Sequence, residues 1–205
     1  MKLILSSCDF INDNSRKVIN DNVDVTNSKV LFIPNEKATK ELINSDKYYK
    51  RLYKDGFTEN NIYIFDEENA NQFINLDIDV IYIGGGNTFA TLKKIKDCGF
   101  DKYIINYINN GVIYIGGSCG AHIVTKNIEH LLDLDNNYCN LDDYNGLGLL
   151  DGIIIPHFNE VDYEPEKRMK LYNKLITENK YKVYILTNSE SIIVNNDKME
   201  IINEK

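Results

Sequence analysis

The chain is short of several residues that would each open a different reading. Proline occurs three times and no Gly/Ser tract interrupts the sequence, so nothing reads as a flexible linker between domains. Cysteine occurs four times, as Cys8, Cys98, Cys119 and Cys139, without a CxxC spacing. That excludes a disulfide framework or a thiolate zinc site and suits a reducing compartment. No apolar run approaches the roughly 18–20 residues that a membrane span needs. The opening MKLILSSCDF has too short an apolar stretch, and no cleavage site, for a secretory signal, so the expected location is cytoplasmic. Basic residues are outnumbered, 23 against 31 acidic, for a net charge of −8. With no long Lys/Arg cluster, neither nucleic acid nor an anionic membrane is an expected partner.

What is present has ordinary globular make-up. The 205 residues are 43% hydrophobic and 26% charged, enough for one core and read as a single domain over 1–205. Short β-branched and aromatic runs recur at Lys2–Ser6, Val30–Pro34, Asn61–Phe65, Val80–Gly84, Val112–Gly117, Gly152–Pro156, Lys182–Thr187 and Ser191–Val194. Most are apolar throughout, as parallel strands covered on both faces are. Helical spacing occupies Ala38–Tyr53, Thr88–Lys96, Phe100–Ile108 and Glu164–Glu178, the last with Pro165 in its first turn. This alternation predicts an α/β fold with a mostly parallel, doubly wound sheet. The last two runs, joined near Asn188–Glu190, read as a hairpin at the sheet edge. The polar, Asp/Asn-rich stretch from Ile128 to Leu150 is long for a loop, which marks it as functional.

The strongest local signal is Tyr114-Ile-Gly-Gly-Ser-Cys-Gly-Ala-His122, in which an apolar run leads through a GxSxG into a helix. That context is what a nucleophile elbow requires, with Ser118 as nucleophile. Gly116, Gly117, Gly120 and Ala121 are all small, as a strained turn demands. Cys119 is the alternative nucleophile, but its register leaves Ala121 where the motif wants glycine. A second loop, Gly84-Gly85-Gly86-Asn87-Thr88, is neither a GxGxxG nor a P-loop. Its glycines let the backbone approach a ligand and present an N–H, so it reads as an oxyanion donor, with Asn87 and Thr88 as substrate contacts. Three histidines could serve as base: His122 on the elbow helix, His130 by the long loop, and His157 at the end of a strand run. Active sites of α/β proteins gather at strand C-termini, so His157 is the expected base. No ligand cluster or cofactor motif stands out, and neither a metal nor a cofactor is expected.

GGGNTF at Gly84–Phe89, YIGGSCGA at Tyr114–Ala121 and PHF at Pro156–Phe158 together resemble peptidase family S51. That group includes the aspartyl dipeptidases (dipeptidase E) and, more distantly, cyanophycinase. The resemblance runs in order over nearly the whole chain. It implies a flavodoxin-like or class I glutamine-amidotransferase-like fold and a serine hydrolase that cleaves small peptides. It assigns Ser118 as nucleophile, His157 as base, and the N–H groups of Gly86 and Cys119 as the oxyanion hole.

The resemblance is less decisive about the triad acid. Counting forward from Ser118 reaches Asp133, and counting back from His157 reaches Asp135. A further family position near the C-terminal hairpin falls on Asn188, which cannot supply charge, with Glu190 two residues on. Specificity also departs from the pattern. The aspartyl dipeptidases bind the substrate carboxylate with an arginine after the histidine; here Arg168, the candidate substrate contact, aligns with a later family arginine and leaves Pro165 at that position, amid Glu160, Asp162, Glu164 and Glu166. Those acids predict a preference for neutral or basic residues before the scissile bond. Two rival readings keep the fold: a cysteine-dependent amidase or amidotransferase-like domain using Cys119, and a binding protein without turnover.

Overall fold

A computed structural model describes residues 1–11 and 13–203; residues 12, 204 and 205 of the expected domain lie outside the described residues. In chain order the elements are β1 (Lys2–Ser6), α1 (Asp13–Asn22), β2 (Val30–Ile33), α2 (Lys40–Ile43), α3 (Lys47–Lys54), β3 (Ile62–Ile64), β4 (Val80–Ile83) and α4 (Thr88–Asp97). They continue with α5 (Asp101–Asn109), β5 (Ile113–Gly117), α6 (Cys119–Ile123), β6 (Ile153–Ile155), α7 (Pro165–Glu178), β7 (Val183–Ile185), β8 (Glu190–Asn195) and β9 (Lys198–Asn203). A seven-stranded sheet has the order β3-β2-β4-β5-β1-β8-β9. Its first five members are parallel, while β8 pairs antiparallel with both β1 and β9. β6 and β7 form a separate parallel pair.

Strand alternation explains why the runs are apolar at every position. Leu3, Leu5, Ile81, Ile83 and Tyr114 point to one face, where Phe89, Leu92 and Ile95 of α4 and Ile104 and Ile108 of α5 cover them. Ile4, Phe32, Tyr82 and Ile115 point to the other, under Val18 and Ile19 of α1 and Tyr48 and Leu52 of α3. Both faces are therefore dry, and successive residues serve opposite layers. A smaller cluster packs Leu171 and Leu175 of α7 on Ile153 and Ile155 of β6. No helix among the described residues is long and apolar enough to cross a membrane.

Two expectations change. The helix read over Ala38–Tyr53 is broken between α2 and α3, where Ser45 Oγ donates to Leu42 O and accepts from Lys47 N–H. A short hydroxyl side chain that competes for backbone groups ends a helix there. The hairpin is not made by the runs flanking Asn188–Glu190 but by β8 and β9, turning at Asn196, whose φ is 54°. β7 instead pairs with β6. β9 was hard to read because it is a mostly exposed edge strand whose only half-buried residue is Ile202, and α1 is polar for most of its length.

Candidate active site

The carboxyl ends of β1, β4 and β5 lie side by side in the sheet, and each delivers one part of the site. Ser118 sits between β5 and α6 at φ 47°, ψ −104°, in the positive-φ region that a residue with a Cβ enters only under strain. Its N–H donates to Ser6 O at 2.8 Å. Close approach forces glycine on both sides. A Cβ on Gly117 would overlap Asp9, and one on Gly120 would overlap the carbonyl oxygen of Ile83.

From β4, the loop 84–87 is held on three sides. Gly85 N–H donates to Asp9 Oδ2 at 2.8 Å, Asn87 N–H to Glu36 Oε2 at 3.1 Å, and Asn35 Nδ2 to Gly85 O at 2.8 Å. Asp9 is itself gripped by Arg51 through two bonds of 2.9 and 2.8 Å, and Arg51 also donates to Tyr82 Oη at 2.8 Å. Burial works against the guanidinium charge, but Tyr82 and Asp9 outweigh it and hold the Arg51 pKa above its ordinary value. The carboxylate of Asp9 thus ties the loop after β4 to the loop after β1 and packs against Gly117 in the turn before Ser118. No hydrogen bond among the described residues occupies the N–H of Gly86 or of Cys119.

His157 follows β6 and Pro156, and its N–H donates to Ser7 Oγ at 2.8 Å. Neighbouring residues Ser6 and Ser7 therefore anchor Ser118 and His157, although no hydrogen bond among the described residues joins the two directly. The imidazole Nδ1 lies 2.5 Å from Asn188 Oδ1 and 3.4 Å from Ser7 Oγ. An amide oxygen only accepts, so Nδ1 carries the proton and Nε2 keeps its lone pair. The ring stacks on Tyr163 with centroids 3.9 Å apart at 13°. Asn188 is fixed in turn, its N–H donating to Glu160 Oε1 at 2.8 Å and its carbonyl accepting from Cys8 Sγ at 3.0 Å. Burial lowers the pKa of His157, the Asn188 bond opposes this, and the Arg168 charge lowers it further.

The structure separates the remaining expected residues. Asp133 is half-exposed and pairs with Lys174 of α7 at 3.5 Å. Asp135 accepts from Asn87 Nδ2 at 3.0 Å and Thr88 N–H at 3.4 Å, at the start of α4. Neither aspartate touches His157, and Glu190 accepts from Thr187 N–H instead. Asn87 and Thr88 spend their side chains within the protein. Asn87 Oδ1 caps α4 through Ala90 N–H, and buried Thr88 Oγ1 lies 3.2 Å from His122 Nδ1. Arg168 is 6% exposed and donates to the carbonyls of Pro156 and Tyr163. It braces the loop that carries His157 and presents no free cation to a substrate. Cys119 is fully buried, and burial pushes its thiol up to about 12, so no thiolate is on hand to attack. Among the described residues no cluster of His, Cys, Asp and Glu side chains forms a metal site.

The other two histidines belong to the core. His130 Nε2 donates to Ile154 O at 2.8 Å, while Nδ1 is buried without a partner. Burial lowers its pKa to about 4. The unfolded chain takes up a proton near pH 6.5 and the fold does not until about pH 4, so stability falls as pH drops across that window. Asp55, which burial raises to about 6, works in the opposite sense. Comparing wild type with His130→Gln in urea unfolding isolates the histidine. Wild type should lose about 2 kcal/mol more than the variant between pH 7 and pH 5, and equal losses would reject the assignment.

Sequence reasoning missed Ser7, Tyr163 and the Asp9–Arg51 pair, and it reached Asn188 through the resemblance only to set it aside as uncharged. Ser7 and Asp9 carried a usable signal, since they follow a parallel strand at the edge where such sites form. Several known proteins are similar to this chain. An uncharacterized peptidase of Listeria monocytogenes is 36% identical over 120 residues, 57% of this chain and 56% of that protein. An uncharacterized peptidase of Listeria innocua is 27% identical across 83% of this chain and 82% of its own length. The crystal structure of a candidate peptidase E protein from Listeria monocytogenes superposes with a TM-score of 0.79 at 26% identity, covering 98% of both chains. The sequence profile of Peptidase family S51 matches residues 3–202, and with the sheet order and motifs above in place, the chain belongs to that family.

Proposed function

We propose that this peptidase is a serine hydrolase that cleaves small peptides through an acyl-enzyme on Ser118. The observation that carries the reading is Ser118 itself, held at positive φ where a buried strand meets a helix, the conformation of a nucleophile elbow. His157 Nε2 takes the Oγ proton as Ser118 attacks the scissile carbonyl. The N–H groups of Gly86 and Cys119 receive the developing oxyanion. His157 then passes the proton to the leaving amine, and water releases the acyl group by the same steps in reverse. Asn188 fills the orienting place usually held by a carboxylate, as an asparagine does in Cys-His-Asn peptidases. The lowered pKa of His157 keeps it neutral and basic at physiological pH. The reaction uses no cofactor, in a single cytoplasmic domain.

A fluorophosphonate probe tests the reading. It should label the native protein at one site, and peptide mass mapping should put the adduct on Ser118. A native protein that stays unlabelled, or is labelled elsewhere, would overturn it.

A further inference from the structure

Beside the loop after β4 lies a pocket of about 190 Å³, bounded by the end of β2 and by α3. Phe32 and Tyr48 form its apolar wall, and Lys37, Lys47 and Arg51 supply its charge. Gly85, next to the N–H of Gly86, is part of the lining. Arg51 is already bound by Asp9, but Lys37 and Lys47 form no ion pair among the described residues. The acids nearest them in sequence are committed elsewhere. Glu36 turns to Asn87 N–H, Thr91 Oγ1 and Tyr138 Oη, and Asp46 pairs with Lys50. Two unneutralised cations therefore meet at one pocket in a chain of net charge −8. On the His157 side the charge is of the other sign: Glu160 accepts from Asn188 N–H beside the imidazole, and Asp162, Glu166 and the Lys167-paired Glu164 follow it in the chain. A short peptide with free termini has the same separation of charge.

We infer that the Lys37–Lys47 pocket is the subsite for a carboxylate of the peptide substrate, with the amine end of the peptide toward Glu160. This rests on the serine-peptidase reading. The terminal carboxylate and an Asp or Glu side chain share the chemistry. Either would place its charge between the ammonium groups and its methylenes against Phe32 and Tyr48. Both lysines are exposed, so each contributes modestly, about threefold in KM, and together about tenfold. A charge contact held equally in ground and transition states moves KM and leaves kcat alone.

The test compares Ala-Ala, its C-terminal amide, and the amide of Asp-Ala as substrates for wild type and for Lys37→Gln/Lys47→Gln. Wild type should favour the free acid over the amide by about tenfold in KM, and the double variant should lose that discrimination. If Asp-Ala amide regains the preference and the free terminus does not, the side chain is the carboxylate bound. Equal discrimination in wild type and variant, or none in either, would overturn the subsite. Should no peptide be cleaved, the serine reading fails on its own. Titration calorimetry of the same peptides then decides the subsite by the same loss of acid-over-amide preference.

Discussion

Ser118→Ala should abolish peptide hydrolysis, with kcat falling by on the order of 10⁴–10⁶, while Cys119→Ala should remain active. The two residues are adjacent, yet their surroundings differ. Ser118 is half-buried at the turn, and its Oγ makes no capping bond to α6. Cys119 is sealed in the core with its Sγ 3.9 Å from Asn87 O. A thiol raised to about 12 is almost wholly protonated at neutral pH and has no base beside it. Truncating it to alanine removes one buried sulfur and should cost stability rather than chemistry, on the order of 1 kcal/mol. Steady-state kinetics on purified, folded variants decide the matter. An inactive Cys119→Ala beside an active Ser118→Ala would transfer the nucleophile to the cysteine.

Asn188 should matter nearly as much. Asn188→Ala should lower kcat by about 10²–10⁴, because the imidazole then loses the acceptor that fixes its tautomer. Asp133→Asn should stay near wild type, since that carboxylate only meets an exposed lysine. Asn188→Asp is the more informative variant. In wild type, burial and the charge of Arg168 hold the His157 pKa below 6.5, so the acid limb of kcat/KM should fall below that value. A carboxylate at Nδ1 favours the imidazolium and raises the pKa. The acid limb of Asn188→Asp should therefore shift upward, with activity lost at mildly acidic pH and kept on the alkaline plateau. A wild-type rate for Asn188→Ala, together with a loss of 10² or more for Asp135→Asn, would hand the orienting role to Asp135.

Much of this molecule can be read from its sequence because the physics that shapes it is local. The central strands declare themselves by apolar residues on both faces, and the turn at Ser118 by small residues that no other geometry requires. His157 is legible as a histidine at the end of a strand. The residue beside its Nδ1 is harder to read: the resemblance touches Asn188, but an uncharged side chain argues against it, and spacing along a loop says little about where a side chain comes to rest. Counting places Asp133 and Asp135 in register with the site, yet one meets α7 and the other caps α4. Asn188 reaches His157 because β7, which it follows, pairs with β6, which His157 follows, a pairing between separate parts of the chain. The pairing of Asp9 with Arg51 is invisible for the same reason. Each looks like a surface charge until the fold closes one on the other.

The position of β8 also gives the site an order of assembly. β1 precedes every other strand of the sheet in the chain, but one of its two neighbours, β8, follows all of them except β9. A nascent chain that ends before Asn188 can already contain Ser118, Gly86 and His157, yet it lacks the amide oxygen that meets the imidazole Nδ1. On the proposed mechanism, hydrolytic competence then arrives with the last strands of the sheet rather than with Ser118 and His157 themselves. On that mechanism an emerging chain is restrained beside other unfolded chains by the order of its own strands.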